Sequence, residues 1–376
     1  MIRDASEAKD FMTLGIVELY CGKSGKAGFY NSQEIGLARA MQARSYRCVV
    51  FYPSRDFQTV KEESTHDGIT IVYCPAKTLG VHSRYDWNVL LKYHVDVIQI
   101  GSDNQLFMPS LARFCKKHGI RFYHYIGTLG SDSGNVLKRK LLNVLFARNV
   151  RIYHKSKCFA KTQAVCDGLR RLGVENVEIM PVGLDTSIIP EITESQEELR
   201  TQLQLPLDKQ IVLFVGRMDP YKRPLELLKL MKQLGQTHFF VLIGTGSMDG
   251  EVQAGLDALE GACGYRWIKQ IPNVEIHRYY AASDYFVNFN DQEIFGMSIL
   301  EAMYHGCTVV AVHAPGPDMI VENGVSGWLV EDTEKVLRLL MGNMTLDKGA
   351  CHQRIAGAFL WTKTTERVVE WVDARG

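Results

Sequence analysis

The chain has 376 residues, 46% of them hydrophobic and 23% charged, and a net charge of +1. That length calls for two domains rather than one, and the composition excludes a disordered, fibrous or disulfide-dense protein. No apolar run is long enough to span a membrane, the opening "MIRDASEAKDFM" is too polar for a signal peptide, and nine scattered cysteines without C-x-x-C pairs predict reduced thiols in the cytoplasm.

The first predicted strand, "TLGIVELY", runs into "CGKSGKAGFYNSQEIGLARAM", Cys21 to Met41. Its Gly22-Lys23-Ser24 does not end a phosphate-binding P-loop, because the leading glycine of that motif would fall on Val17. Gly22, Gly25 and Gly28 are spaced G-x-x-G-x-x-G, not G-x-G-x-x-G, and the next strand, "CVVFY", is followed by Pro53-Ser54 instead of an acid that would hold a ribose. What remains is a glycine-rich turn between strand and helix. It is either a place where backbone amides meet an anion or a hydroxyl, or a plain βα connection.

Further strands follow in "YRCVVFY", "GITIVYC", "VDVIQI" and "IRFYHYI", separated by helical stretches such as "SQEIGLARAMQA" and "QLFMPSLARFCKKHG". Residues 133–166 then hold no acid and eight cations: Lys138, Arg139, Lys140, Arg148, Arg151, Lys155, Lys157 and Lys161. "NVLKRKLLNVLFARNV" within them reads as a basic amphipathic helix, either a solvated face or a surface for anionic membrane. The charge is uneven overall, with 26 Lys+Arg against 17 Asp+Glu in residues 1–185 and 17 against 25 in the remainder.

A polar, proline-punctuated stretch, "PVGLDTSIIPEITESQEELRTQLQLPLDKQ", reads as a linker with a short helix. Alternation then restarts with the predicted strands "IVLFVG", "HFFVLIG", "NVEIH", "DYFVNFN" and "CTVVAV". Strand–helix alternation predicts an α/β protein of two doubly wound parallel sheets, whose ligands lie beyond the carboxyl ends of strands. The predicted division is 1–185, 186–355, and a helical tail, 356–376, that packs back on the first domain.

Two stretches of the second half carry chemistry. "IVLFVG" ends at Gly216, and Arg217 and Lys222 follow in the loop before the helix "PLELLKLM". Two cations at a strand end, beside a helix N-terminus, supply charge, donors and dipole to an anion, unless Arg217 merely pairs with Asp219 in a solvated turn. "DYFVNFN" leads to Glu293. Gly296 then allows close backbone approach, a helix begins near Met297 or Ser298, and Glu301 lies in its first turns. Two carboxylates flanking helix amides suit a ligand with hydroxyls at both ends and phosphate between.

These stretches resemble the retaining GT-B glycosyltransferases of the large "group 1" family. "GRMDPYKRP" matches G-R-x(4)-K, "EIFGMSILE" matches E-x(7)-E, "PVGLD" resembles the P-N-G-V-D hinge, and "APGPDMIVENGVSGWLV" resembles the G-G-x-x-E-x-I-x-x-G-x-x-G segment. The resemblance covers nearly all of the second half closely and the first half loosely. It implies a GT-B fold, two Rossmann-like domains facing a central cleft. It implies that Arg217 and Lys222, beside Gly216, clamp the diphosphate of a nucleotide sugar. Glu293 and the amides around Phe295, Gly296 and Met297 would hold the sugar, Ser298 would lie by the phosphates, and Glu301 would bind the ribose. His124 would face the sugar from the end of a first-domain strand. Gly28 would approach it from the glycine-rich loop, although position 27 is alanine where the family has a second glycine.

The implied reaction is retaining hexosyl transfer from a UDP-sugar to a lipid-linked or saccharide acceptor in cell-surface glycan synthesis. No cofactor and no metal are expected, and no D-x-D sequence of the metal-dependent glycosyltransferase fold is present. The expected place is the cytoplasm, peripheral on the inner face of the membrane through 133–166, with no nucleic-acid partner. A catalytically silent binding or scaffold relative, and a synthase- or phosphorylase-like relative, are the alternatives.

Overall fold

Long apolar runs rich in Val, Ile and Phe, buried on both faces, make parallel strands here, where an alternating pattern would make a half-exposed sheet. The computed structural model describes residues 11–374 apart from 22–31, 102, 104, 131–135 and 260. Gly28 lies outside the described residues. The chain divides into two compact units, Met1–Gly183 with Trp361–Gly376, and Leu184–Leu360.

In the first unit the strands are β1 (Thr13–Val17), β2 (Arg47–Ser54), β3 (Lys61–Ser64), β4 (Thr70–Pro75), β5 (Lys77–Leu79), β6 (His82–Arg84), β7 (Val97–Gly101), β8 (Arg121–Ile126), β9 (Lys157–Ala160) and β10 (Val177–Ile179). Eight form one sheet in the order β10-β9-β8-β7-β1-β2-β4-β3, and β5 pairs with β6 as a small ribbon. All neighbours in the large sheet run parallel except the exposed edge strand β3. All five residues of β1 are buried, with Ile16 set between Val50 and Gln99.

The tail adds two short helices to this unit, Trp361–Thr364 and Glu366–Asp373. Val368 and Val372 are buried, the Trp371 ring meets Tyr123 edge-on at 5.6 Å, and the Arg121 guanidinium stands 4.9 Å from Trp371 while donating to the Trp371 and Val372 carbonyls. The Tyr46 hydroxyl donates to Asp373.

The second unit contains β11 (Gln210–Val215), β12 (His238–Ile243), β13 (Gly264–Ile268), β14 (Tyr285–Asn288), β15 (Thr308–Val312) and β16 (Gly327–Val330), all parallel, in the order β13-β12-β11-β14-β15-β16. In the unit's own count that is 3-2-1-4-5-6, the doubly wound order whose switch point lies between its first and fourth strands, β11 and β14.

One predicted strand is corrected. "NVEIH" opens the helix Asn273–Ala282, and the third strand is "GYRWI". Ile276, His277, Tyr279 and Tyr280 are buried at helical spacing, whereas Val274 is exposed, so the apparent alternation was a fragment of a 3.6-residue period. Among the described residues no helix is long and apolar enough to cross a membrane.

Candidate functional site

The carboxyl ends of β11 and β14 carry the second unit's polar loops. Gly216 follows β11, and its amide donates to the Ile243 carbonyl at 3.0 Å. Beside it Gly244, at φ 131°, leaves no room for a side chain: a Cβ there would fall 2.0 Å from the Gly216 carbonyl oxygen. Only glycine permits these two strand ends to approach so closely. The Lys222 side chain lies along Gly216, 3.7 Å from where a Cβ would stand.

A single 3-10 turn, Pro220–Lys222, and left-handed Arg223 then lead into the helix Pro224–Leu234. The turn points its two cations differently. Arg217 is 67% exposed, paired with Asp219 at 3.1 Å, and donates from Nε to the Tyr221 hydroxyl at 3.0 Å. Lys222 is 17% exposed and paired with Glu293. Both cations stand 5.5 Å from the Tyr221 ring centre, one on the solvent side and one toward β14. Asp219 also accepts from the Ser247 amide and hydroxyl, both at 2.8 Å, and the amide above all holds its carboxyl below the usual range.

After β14 two asparagines shape the loop. Asn288 accepts from the Asn290 amide and Asn290 from the Gln292 amide, two successive Asx turns. Their side-chain amides both donate to Glu293 Oε2, at 3.3 and 3.1 Å, and Lys222 donates to the same oxygen. Gly296, at φ 99°, turns the chain into the helix Met297–Tyr304, which no side chain caps. Its first amides belong to Met297 and Ser298, both half-buried. Gly316, after β15, closes under Phe295: a Cβ would lie 2.1 Å from the Phe295 carbonyl oxygen, and the Gly316 amide donates to the Glu293 carbonyl.

Gly216, Lys222, Glu293, Phe295 and Gly296 thus lie on the loops after β11 and β14, Met297 and Ser298 open the helix that follows, and Lys222–Glu293 joins the two loops directly. Arg217 flanks the pair from solvent. Glu301 is buried at 7% exposure and accepts from the Tyr280 hydroxyl at 2.9 Å. Tyr221, Asn288, Asn290, Gly244 and Gly316 were missed. The "NFN" at a strand end was a legible Asx-turn signal, but Gly244 and Gly316 matter through contacts between loops distant in sequence.

Two sequence expectations need correction in the first unit. His124 sits inside β8, not at its end, and is fully buried, packed edge-on against Phe122 and Tyr153 at 5.5 and 4.8 Å. Burial, with Lys116 adding, lowers its ring to about 3. Such a neutral core histidine has no face to offer a sugar. The basic stretch also divides. Arg148, Arg151 and Lys155 are exposed, but Lys157 is buried against Glu178, and Lys161 pairs with Asp103 at 3.5 Å. The side chains of Lys138, Arg139 and Lys140 lie outside the described residues.

Residues 195–346 match the family model described as glycosyl transferases group 1. The chain is 29% identical over 211 residues to a D-inositol 3-phosphate glycosyltransferase of Xylanimonas cellulosilytica, covering 53% of this chain and 51% of that one. A relative of the same name from Mycobacterium bovis is 26% identical over 51% of this chain and 42% of its own. The chain spans about half the length of the curated relatives it matches. Among solved structures, a sucrose-phosphate synthase from Thermosynechococcus elongatus matches 97% of this chain and 100% of its own, with TM-score 0.75 and 18% identity. HepE of Anabaena, solved with UDP-glucose, matches 96% and 100% with TM-score 0.70 and 18% identity. Likeness at this identity shows the fold, which is GT-B.

Proposed function

We propose that this chain, whose residues 195–346 match the family model of the group 1 glycosyl transferases, moves a hexosyl group from a UDP-sugar to a saccharide or lipid-linked saccharide acceptor, with retention and without a metal. The observation that carries this reading is the Lys222–Glu293 pair at the switch point between β11 and β14, flanked by Arg217 and by the uncapped helix start at Gly296. A cation, oriented amides and a helix dipole converge on one place, which suits a diphosphate. HepE binds UDP-glucose in its solved complex, which supports a uridine donor.

In the reaction the anomeric carbon–oxygen bond breaks and its electron pair goes to the β-phosphate oxygen. The acceptor hydroxyl oxygen bonds to the anomeric carbon, and its proton passes to the freed diphosphate. Lys222 and Arg217 stabilise the negative charge that grows on the leaving group, each charge-assisted hydrogen bond contributing about 1.5–3 kcal/mol. Binding of the diphosphate draws Lys222 toward it and loosens its hold on Glu293. The carboxylate, still held by Asn288 and Asn290, then accepts from a sugar hydroxyl. Those donors on Oε2 lower its nucleophilicity, so Glu293 is a sugar contact rather than a nucleophile. In this proposal Glu301, which accepts from the Tyr280 hydroxyl, binds the ribose. The exposed Arg148, Arg151 and Lys155 are the described part of the membrane-facing surface in this proposal.

The test is UDP release from UDP-glucose and UDP-N-acetylglucosamine, with and without saccharide acceptors, followed by proton NMR of the anomeric product. Acceptor-dependent UDP release with retained configuration supports the reading. A chain that binds no nucleotide sugar overturns it and leaves a silent relative of the fold.

A further inference from the structure

Five non-glycine residues among those described have left-handed backbone. Ser45, His94, Gln204 and Asn343 each come shortly after the end of a helix, the usual place for such a conformation. Arg223 does not. At φ 53° and ψ 50° it opens the helix Pro224–Leu234, and no side chain caps that helix. Two steric costs meet there. A side chain disfavours positive φ, and the ring of the following proline pushes the residue before it toward extended backbone. Glycine would hold this turn at less cost.

What the arginine adds is its side chain. Its Nη1 donates to Asp291 Oδ2 at 3.1 Å, which ties the loop after β11 to the loop after β14 a second time, beside Lys222–Glu293. Asp291 is the middle residue of the Asx turn that Asn290 closes on the Gln292 amide at 3.0 Å, and the same Asn290 donates to Glu293 Oε2 at 3.1 Å. Holding Asp291 therefore constrains Asn290 and, through it, the Glu293 carboxylate. Stability does not account for the pair. Its side chains are 43% and 51% exposed, and an ion pair so open to water and salt contributes less than a strained backbone costs. Strain kept at a site without a return in stability points to function. Neither residue belongs to the two motifs: Arg223 follows the lysine of G-R-x(4)-K, and Asp291 precedes the first glutamate of E-x(7)-E.

We propose that Arg223 is a positioning residue that acts through Asp291. It keeps the two loops in register when a bound diphosphate draws Lys222 away from Glu293, so that the carboxylate stays turned to the sugar. Its place in the reaction rests on the transferase reading above; the tie between the loops does not. Once Lys222 has moved, Arg223–Asp291 is the ion pair among the described residues that still joins them.

The experiment measures UDP release, UDP affinity and melting temperature on the full chain and on Arg223→Asn, Arg223→Gly and Asp291→Asn. The donor is whichever of UDP-glucose and UDP-N-acetylglucosamine the chain uses. Each variant should lower kcat about tenfold and leave the donor KM nearly unchanged, as misplacement of a reacting-centre contact does. A guanidinium that merely attracts phosphate gives another pattern: Arg223→Asn then weakens UDP and Asp291→Asn tightens it. Arg223→Gly should melt no lower than wild type, because glycine takes the positive φ freely, whereas a purely structural role would lower the melt. The exchanged pair, Arg223→Asp with Asp291→Arg, should recover most of the lost turnover, since aspartate tolerates left-handed backbone. Turnover within about twofold of wild type in the single variants, opposite shifts of UDP affinity, or a lower melt of Arg223→Gly overturns the proposal. Hydrogen exchange tests the tie without any ligand. In a Lys222→Ala background the Asn290, Gln292 and Glu293 amides, all bonded within the loop, should exchange about tenfold faster when Arg223 or Asp291 is also replaced. A wild type that releases no UDP refutes the transferase reading; faster exchange then still supports the tie between the loops, and unchanged exchange overturns it.

Discussion

Replacing Lys222 with alanine separates catalysis from folding. Among the described residues the lysine makes one charged contact, to Glu293, with side chains 17% and 13% exposed. Breaking a buried pair by removing one partner costs about 3–5 kcal/mol when the other charge is stranded. Glu293 is not stranded, because Asn288 and Asn290 still donate to it. The stability loss should therefore be smaller, about 1–2 kcal/mol, a modest fall in melting temperature. In the transition state the same lysine would make one or two charge-assisted bonds to a diphosphate gaining charge. Their loss is about 2–4 kcal/mol, or roughly 30- to 1000-fold in turnover. The assay is UDP release at saturating donor, run beside a thermal melt of the same preparation. A variant that melts near wild type and turns over within about threefold of it refutes the diphosphate assignment.

Gly244→Ala should destabilise the second unit by about 3 kcal/mol or more, seen as a large fall in melting temperature, because the new Cβ meets a backbone oxygen at 2.0 Å from a positive-φ residue. Asp67 gives a pH test. Burial raises its carboxyl, but hydrogen bonds from Arg39 and Thr65 outweigh that and hold it at about 2, below its ordinary 3.8. A depressed carboxyl stabilises the fold above pH 3.8 and loses that contribution as pH falls through about 2. Asp67→Asn should thus cost about 1 kcal/mol at pH 6, after allowance for solvent screening, and only a small fraction of that at pH 2, as read by denaturant titration. Transfer should survive EDTA; complete loss restored by manganese would refute the metal-free mechanism. Replacing Lys138, Arg139 and Lys140 with glutamine should release the protein from anionic vesicles at physiological salt, each basic residue contributing about 1 kcal/mol. Wild-type protein that ignores such vesicles in flotation would refute a membrane surface.

The parallel strands were legible because burial on both faces demands continuous apolar runs, and "IVLFV" or "TVVAV" has no other economical use. "NVEIH" failed because five residues do not separate a period of 2 from one of 3.6 when the longer helix around them is ignored. Residue types at strand ends marked Lys222, Glu293 and Gly296, since charge, an acceptor and a positive-φ glycine announce themselves locally. Pairing does not. That Lys222 bonds Glu293, that Arg217 turns outward to Asp219 and Tyr221, and that Gly244 and Gly316 clear space for loops far away in the chain depend on which strands become neighbours. His124 shows the same limit from the other side: a histidine near a strand's end reads as a ligand, yet its place along the strand and the packing of Phe122 and Tyr153 put it in the core. The elements and the residue types of the site follow from local periodicity and chemistry, which the sequence contains. Which side chains meet, and which face solvent, follow from strand order and packing, which exist only once the sheets have formed.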